Sequence, residues 1–339
     1  MKYKTGMFGG AFDPPHIGHF NAILQAACLC EDLYIVLSYS RSRDFVPMEY
    51  RYRWLRNAFR HLENIHILLL EDTAKSKQEY DSGGYWEKGR DEIINQIQKK
   101  IDVVFCGSDY KQSRQYEKLY HCEVVYFDRN HFCISSTKIR ENPLLYWQYI
   151  PAICRAYFVK KILLVGGEST GKSTLAANLA LYYNTNFLKE VGRDVTEYAG
   201  SEELMIEEDF HTILLKHKLL EAQLLPYSNK LLFVDTDALT TKFYTEFLLT
   251  DSNALKRTKH LADAINGINH FDLVLFLEPT VAFVQDGTRS AIIEANREKY
   301  SQQIKDLFHQ ANIKYHCLSG DYFNRFEKAK EIIQHTFHI

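Results

Sequence analysis

The octapeptide Gly166-Gly167-Glu168-Ser169-Thr170-Gly171-Lys172-Ser173 constrains this chain more than any other stretch. It fits G-x-x-x-x-G-K-[ST], follows the apolar run Ile162-Leu163-Leu164-Val165 and opens the helical pattern Ser173-Thr174-Leu175-Ala176-Ala177. A strand, a glycine-rich turn and a helix in that order are the context a phosphate-binding loop requires. The glycines let successive N–H groups turn toward phosphate oxygens, and the helix adds its positive end. Nucleotide binding is therefore expected of Gly167, Glu168, Ser169, Thr170, Gly171, Lys172, Ser173 and Thr174. Lys172 reaches the β- and γ-phosphates of such a nucleotide, and the Ser173 hydroxyl can ligate Mg²⁺.

Three further features follow in the same half. Leu231–Asp235 reads as a buried strand ending in a carboxylate, where Asp235 holds the Mg²⁺ shell or takes a proton from an acceptor hydroxyl. A helix N-cap is the alternative for Asp235. Asp237 binds sugar hydroxyls or caps a helix over Ala238–Phe247. Asp286-Gly287-Thr288-Arg289-Ser290 suits a lid whose Arg289 closes over a triphosphate, against the plainer reading of a solvated arginine.

The first half carries a second signal, Phe8-Gly9-Gly10-Ala11-Phe12-Asp13-Pro14-Pro15-His16-Ile17-Gly18-His19, at a strand-to-helix turn. Gly9 and Gly10 allow close backbone approach to a phosphate. His16 and His19 lie three apart and face one way at a helix start. Two imidazoles can donate to phosphate oxygens without a metal, an arrangement suited to nucleotidyl transfer. A metal site would need a third ligand, and none is evident. Late in the same half, Ile134-Ser135-Ser136-Thr137-Lys138-Ile139-Arg140 reads as a helix N-terminus aimed at phosphates.

Around these loops, apolar runs alternate with amphipathic ones. Strands are predicted at Thr5–Phe8, Leu33–Ser38, Ile65–Leu70, Val103–Cys106 and Val124–Phe127, with helices over His19–Cys30, Met48–Leu62, Trp86–Lys100 and Gln112–Tyr120. The rhythm restarts at Lys160, with strands at Lys161–Val165, Leu231–Asp235, Leu273–Leu277 and Lys314–Cys317. Helices there are predicted over Lys172–Tyr183, Glu207–Leu225, Ala254–Ile268, Ala295–Ala311 and Asn324–Thr336. Alternation of this kind means α/β architecture with two tandem, doubly wound parallel sheets. A first domain is expected over 1–142, a packed connector over 143–159 and a second domain over 160–339.

Composition narrows the function classes. The 339 residues carry 41 Lys+Arg against 43 Asp+Glu, which lacks the global basic footprint of a nucleic-acid binder. No apolar run is long enough for a membrane span, and the N-terminus has no apolar signal region. The seven cysteines form no C-x-x-C pair, so reduced thiols in a cytoplasm are expected.

Together these motifs resemble a known family. The first half resembles the nucleotidyltransferases that carry an H-x-G-H loop and a late I-S-S-T-x-x-R motif. The two halves in tandem resemble the bifunctional NadR-type proteins, nicotinamide-nucleotide adenylyltransferase and ribosylnicotinamide kinase fusions. Glu190-Val191-Gly192-Arg193-Asp194, Asp235-Thr236-Asp237-Ala238-Leu239-Thr240-Thr241 and the connector Tyr146-Trp147-Gln148-Tyr149-Ile150-Pro151 support the match. The resemblance implies a Rossmann-like nucleotidyltransferase domain followed by a P-loop kinase domain. It implies that the kinase half phosphorylates nicotinamide riboside to nicotinamide mononucleotide (NMN) with ATP, and that the other half joins NMN and ATP into NAD and pyrophosphate. ATP would lie over Phe8, Gly9 and Gly10, with Gly107 and Asp109 facing the adenosine. His16, His19, Ser136, Thr137 and Arg140 would hold its phosphates. Trp86 would receive the pyridinium ring of NMN, a packed core tryptophan being the alternative. Arg51 and Arg53 are phosphate contacts or ordinary helix-surface arginines.

In the second half, Lys172, Asp235 and Arg289 would serve phosphoryl transfer, Ser173 and Asp235 would organise Mg²⁺, and Glu190, Arg193 and Asp237 would meet the riboside. Partners implied are small molecules, with a homo-oligomer and a link to a riboside transporter. Family members that bind DNA carry a helix-turn-helix before the first catalytic strand. That strand begins near residue 5 here, so no nucleic-acid binding is expected. Ile213-Leu214-Leu215-Lys216-His217-Lys218 stands where a smaller, Gly-containing run is expected. The competing readings are a pantetheine-phosphate adenylyltransferase joined to a dephospho-coenzyme A kinase, and a nucleotide-sensing regulator with one decayed half.

Overall fold

The computed structural model describes residues 1–82, 84–128, 131–284 and 295–339. The chain divides into two compact units, Met1–Arg155 and Ala156–Ile339. The expected connector thus contributes residues 143–155 to the first unit, where they form a short 3₁₀ turn (Trp147–Tyr149) and a helix.

The first unit runs β1 (Tyr3–Gly10), α1 (Ile17–Leu29), β2 (Cys30–Tyr39), α2 (Met48–Phe59), β3 (Ile65–Glu71), α3 (Lys77–Ser82), α4 (Tyr85–Ile97), β4 (Val103–Gly107), α5 (Gln115–Tyr120), β5 (Glu123–Phe127), α6 (Ser136–Glu141) and α7 (Ala152–Arg155). Its sheet is parallel in the order β3-β2-β1-β4-β5. Alternate residues of one strand feed opposite cores. Val103 and Phe105 pack on one face with Phe8 and Ile35, while Val104 and Cys106 pack on the other with Met7 and Val36. Burial on both faces explains why Val103–Cys106 reads as a continuous apolar run rather than an alternating one.

The second unit runs β6 (Lys160–Val165), α8 (Lys172–Tyr182), β7 (Asn186–Leu188), α9 (Gly192–Ala199), α10 (Glu207–Leu224), β8 (Leu231–Asp235), α11 (Ala238–Leu248), α12 (Ser252–Ile268), β9 (Leu273–Leu277), α13 (Arg297–Gln310), β10 (His316–Leu318) and α14 (Tyr322–Phe337). Its parallel sheet has the order β10-β9-β6-β8-β7. Both expected doubly wound sheets are present. Strand β7 and helices α3 and α9 were not anticipated. Strand β7 has only three residues, and α9 opens on Gly192, so neither announces a period.

Each unit places its first strand at the centre, with neighbours on both sides, so the chain reverses direction across the sheet there. Ligands of such sheets gather in the crevice beyond the carboxyl ends at that reversal. The opposite ends are tied by the same device twice. Asp102, just before β4, accepts the Lys4 and Thr5 N–H groups of β1 at 3.1 and 3.0 Å. Asp272, just before β9, accepts the Lys161 N–H of β6 at 2.9 Å and the Lys160 ammonium at 2.8 Å. Among the described residues no helix is long and apolar enough to cross a membrane.

Gly6 shows how tightly the first centre packs. A Cβ there would lie 2.9 Å from the Phe105 ring and closer still to Cys30 Sγ. Overpacking a core of this kind costs about 1–3 kcal/mol. Gly6→Ala should lower the unfolding free energy of the first unit by that amount, read as a lower urea midpoint with an unchanged denaturant slope.

Candidate active sites

In the first unit the histidine loop joins β1 to α1. His16 is the N-cap of α1 with extended backbone (φ −135°), and His19 stands at its third position. The His19 Nδ1 accepts the His16 backbone N–H at 3.2 Å, and the two rings stack with centroids 3.8 Å apart. Phe12 meets the His19 ring edge-on at 5.1 Å. Gly18 lies between the histidines for a steric reason: an added Cβ would come within 3.1 Å of the His16 ring.

The late hydroxyl-rich segment, distant in sequence, closes on this loop. Ser135 caps α6 by accepting the Lys138 N–H. Ser136 donates to the Pro14 carbonyl at 2.9 Å. Arg140 donates to the Asp13 carbonyl and, at 3.1 Å, to the Thr137 hydroxyl. Asp13 in turn accepts the Phe45 and Val46 N–H groups at 2.9 and 2.7 Å. Loop, α6 and the 44–47 segment therefore form one hydrogen-bonded rim.

Several expected residues take more limited places. The Phe8 side chain is turned into the core, stacked on Phe12. Gly107 ends β4, and Asp109 stands in the short 3₁₀ turn after it, both beside the reversal. Trp86 is half-buried in an aromatic group with Tyr80, Tyr110 and Tyr116. Tyr116 points at the glycine turn, since a Cβ on Gly9 would lie 3.9 Å from its hydroxyl. Arg51 is corrected: it is wholly buried and donates to the Ala11 carbonyl at 2.6 Å and to Asp44, so it supports the loop from below rather than meeting solvent. Arg53 is exposed.

In the second unit the phosphate loop joins β6 to α8. Gly166 (φ +147°) and Gly171 (φ +85°) adopt backbone that favours glycine, and a Cβ on Gly166 would strike the Leu277 carbonyl at 2.5 Å. Lys172 is buried and donates to the Gly167 carbonyl at 3.0 Å, and Thr170 donates to the same oxygen at 2.8 Å. A cavity of about 210 Å³ opens from this loop. Glu168, Ser169, Ser173 and Thr174 of the loop line it, as do Glu190, Arg193 and Asp237.

Asp235 and Asp237 flank the strained Thr236, a β-branched residue at φ +72°. Asp237 takes the helix-capping role of the two expected for it. Its Oδ1 caps α11 by accepting the Thr240 N–H and hydroxyl at 3.0 and 2.8 Å. Its Oδ2 is buried and takes no hydrogen bond among the described residues. Asp235 is wholly buried, and its Oδ2 is likewise unsatisfied. Burial, and then the Glu190 carboxylate, push the Asp235 carboxyl up to about 6, against the pull of Lys172 and Ser173. Arg289 lies outside the described residues.

Sequence reasoning missed three residues here. His217 on α10 hydrogen-bonds the Asp235 carbonyl through Nε2 at 3.2 Å, and burial pushes its pKa down. The segment that departs from the expected pattern is thus a cavity wall. Arg297 of α13 donates to the Ser169 carbonyl at 3.3 Å and to Val281 at 2.9 Å. Arg325 of α14 donates to the Thr170 carbonyl at 2.5 Å. A lone arginine on an amphipathic helix gives no sequence signal of a buried, loop-directed role.

Two phosphate cradles, each on the central strand of its own doubly wound sheet, define a class: tandem nucleotide-handling α/β domains. Comparison with known proteins agrees. Residues 7–142 match the cytidylyltransferase-like family model and residues 161–325 an AAA domain model. The chain is 30% identical over 348 residues to the trifunctional NAD biosynthesis/regulator protein NadR of Salmonella typhimurium (strain LT2), covering 98% of this chain and 83% of that protein. It also shares its fold with a NadR protein solved with NR (TM-score 0.83, 22% identity, 100% of this chain and 97% of that one). A NadR structure with NAD and AMP-PNP gives TM-score 0.83 at 22% identity, over 99% and 96%. The chain belongs to the NadR family.

An unsatisfied buried carboxylate that its surroundings push toward protonation is destabilising when nothing is bound. The folded state holds the Asp235 proton more tightly than the unfolded chain. Stability therefore falls as pH rises through the window from 3.8 to about 6, and the full penalty applies above it. Asp235→Asn should raise the thermal stability of the ligand-free second unit at pH 7.5 by roughly 1–3 kcal/mol. The gain should fade as the pH is lowered to 4, as differential scanning calorimetry would show.

Proposed function

We propose that the second unit transfers the γ-phosphate of ATP to the 5′-hydroxyl of nicotinamide riboside, and that the first unit joins the resulting NMN to a second ATP. One observation carries the reading: the phosphate loop opens into a cavity that Glu190, Arg193 and Asp237 also line. A phosphate donor and a cationic, hydroxyl-bearing acceptor suit that cavity.

In the kinase step the 5′-oxygen bonds to the γ-phosphorus as its proton passes to the Asp235 carboxylate or to solvent, the bond to the β-bridging oxygen breaks, and ADP leaves. The transition state is loose, so the protein's work is positioning and charge stabilisation. Asp237 accepts from a ribose hydroxyl, and Glu190 and Arg193 border the sugar. Lys172 spreads charge over the transferring group. Arg289 serves as the lid residue in this proposal.

Mg²⁺ fits the residues present. The buried Asp235 carboxylate and the Ser173 hydroxyl stand close enough to interact. Among the described residues no cluster of three or more His, Cys, Asp or Glu is arranged for a metal. Asp235 and Ser173 would hold the ion together with substrate phosphates, and it would supply charge neutralisation during transfer.

In the first unit an NMN phosphate oxygen bonds to the α-phosphorus of ATP and pyrophosphate departs. His16 and His19 stabilise the charge that develops, while Ser136, Thr137 and Arg140 hold the outgoing phosphates. Gly9, Gly10, Gly107 and Asp109 border the nucleotide. Trp86, beside Tyr116 and the glycine turn, offers the pyridinium an aromatic face. The free thiols support a reducing, cytoplasmic setting.

Separate variants test the two halves. With NMN supplied, His19→Ala should lower NAD formation about 10²–10³-fold, as loss of a charge-stabilising donor does. It should leave phosphorylation of nicotinamide riboside intact. Lys172→Ala should abolish NMN formation and spare NAD formation from supplied NMN. Chromatography of products from riboside, ATP and Mg²⁺ reads both, and parallel loss of both activities in either variant would refute the division.

A further inference from the structure

We propose that Arg325 is a positioning residue of the nucleotide site in the second unit: it fixes the peptide that presents the Gly171 N–H and places a cation beneath the polyphosphate. The inference rests on the kinase reading of that unit.

Arg325 is 2% exposed on α14, far in sequence from the phosphate loop. One guanidinium nitrogen donates to the Thr170 carbonyl at 2.5 Å. The other donates to the Glu278 carbonyl at 2.5 Å and the Thr280 hydroxyl at 2.8 Å. The Thr280 hydroxyl also donates to the Gly320 carbonyl at 2.8 Å and stands 3.0 Å from the Gly320 N–H. The start of α14 presses on the same loop, since a Cβ on Gly171 would come within 2.9 Å of the Tyr322 ring. Arg325 thus joins the phosphate loop to the end of β9, and Thr280 extends the link to the turn before α14.

Two physical consequences follow. In a trans peptide the C=O and N–H point in opposite directions. Holding the Thr170 carbonyl therefore aims the Gly171 N–H away from Arg325, and Gly171 is a lining residue of the cavity. Second, this guanidinium has no carboxylate partner among the described residues, and its Nε is buried without an acceptor. Carbonyl dipoles offset only part of the cost of burying a cation. Glu278 and Asp321 act on it only from beyond ion-pair distance, and a polyphosphate in the loop would add further negative charge.

The test uses the full chain with Arg325→Met, Arg325→Gln and Arg325→Lys. Calorimetry measures binding of inorganic tripolyphosphate, which needs no turnover. Steady-state kinetics then separates KM for ATP from KM for riboside, and NAD formation from supplied NMN reports the first unit. Loss of a charged, oriented donor should weaken tripolyphosphate about tenfold or more in the Met and Gln variants and raise KM for ATP alike. KM for riboside should stay within about twofold. Lys keeps the cation without the fork and should fall between. Should Met and Gln fail to fold, the Lys variant decides: severalfold weaker binding supports the role, and parental binding overturns it. A folded Met or Gln variant that binds tripolyphosphate as the parent does also overturns it. A parent that binds tripolyphosphate but does not phosphorylate riboside sinks the kinase reading alone.

Discussion

Both units are organised by one electrostatic demand. A polyphosphate can leave water only for a place that offers many oriented donors at once. A parallel strand that ends at a tight turn and feeds a helix provides them from backbone alone. In each unit that strand is central, tied at its far end by Asp102 or Asp272, so the turn is held from behind by the whole sheet. The units then differ in how they complete the cradle. The first adds two stacked imidazoles and a capped helix from far along the chain. The second adds Lys172, folded back on the Gly167 carbonyl.

The elements that were legible in the sequence are those whose function is written in consecutive residues. The glycine loops, the histidine pair and the strand ending in Asp235 each carry a local constraint: a backbone angle, a helix-start spacing or an apolar run. The parallel sheets were legible for a related reason, because burial on both faces makes each central strand a continuous apolar word. What escaped is what depends on distant partners. Arg51 and Arg325 both look like helix-surface arginines, yet both are buried and both grip the carbonyl of a binding loop. Nothing within a few residues of either distinguishes it from Arg53, which is exposed. His217 belongs with them, since its hydrogen bond to the Asp235 carbonyl is invisible until α10 is laid beside β8.

The same comparison explains where the second unit carries its tension. Thr236 sits in left-handed backbone, and among the described residues Asp235 and Asp237 each bury an oxygen without a hydrogen-bond donor and Arg325 forms no ion pair. Away from a ligand each of these is unfavourable, by about 1–3 kcal/mol for the backbone outlier alone. Thr236 and Asp237 line the cavity that opens from the phosphate loop, while Asp235 lies close enough to Lys172 and Ser173 to interact with both.

Arg325 gives that reasoning a direction. Positioning residues usually act by orienting a side chain, but here the oriented group is a peptide. Because C=O and N–H are fixed on opposite sides of the peptide plane, a donor on one side governs an acceptor site on the other without touching the ligand. Arg51 makes the corresponding contact with the Ala11 carbonyl in the first unit, behind the histidine loop. Two unrelated loops, each built on glycine, are thus stiffened by a buried guanidinium from a helix remote in sequence. Glycine supplies the conformational freedom these turns need, and freedom at a binding loop costs affinity unless something removes it. Each buried arginine removes it; Arg51 does so with its charge balanced by Asp44, whereas Arg325, in no ion pair among the described residues, also adds charge of the sign the ligand requires.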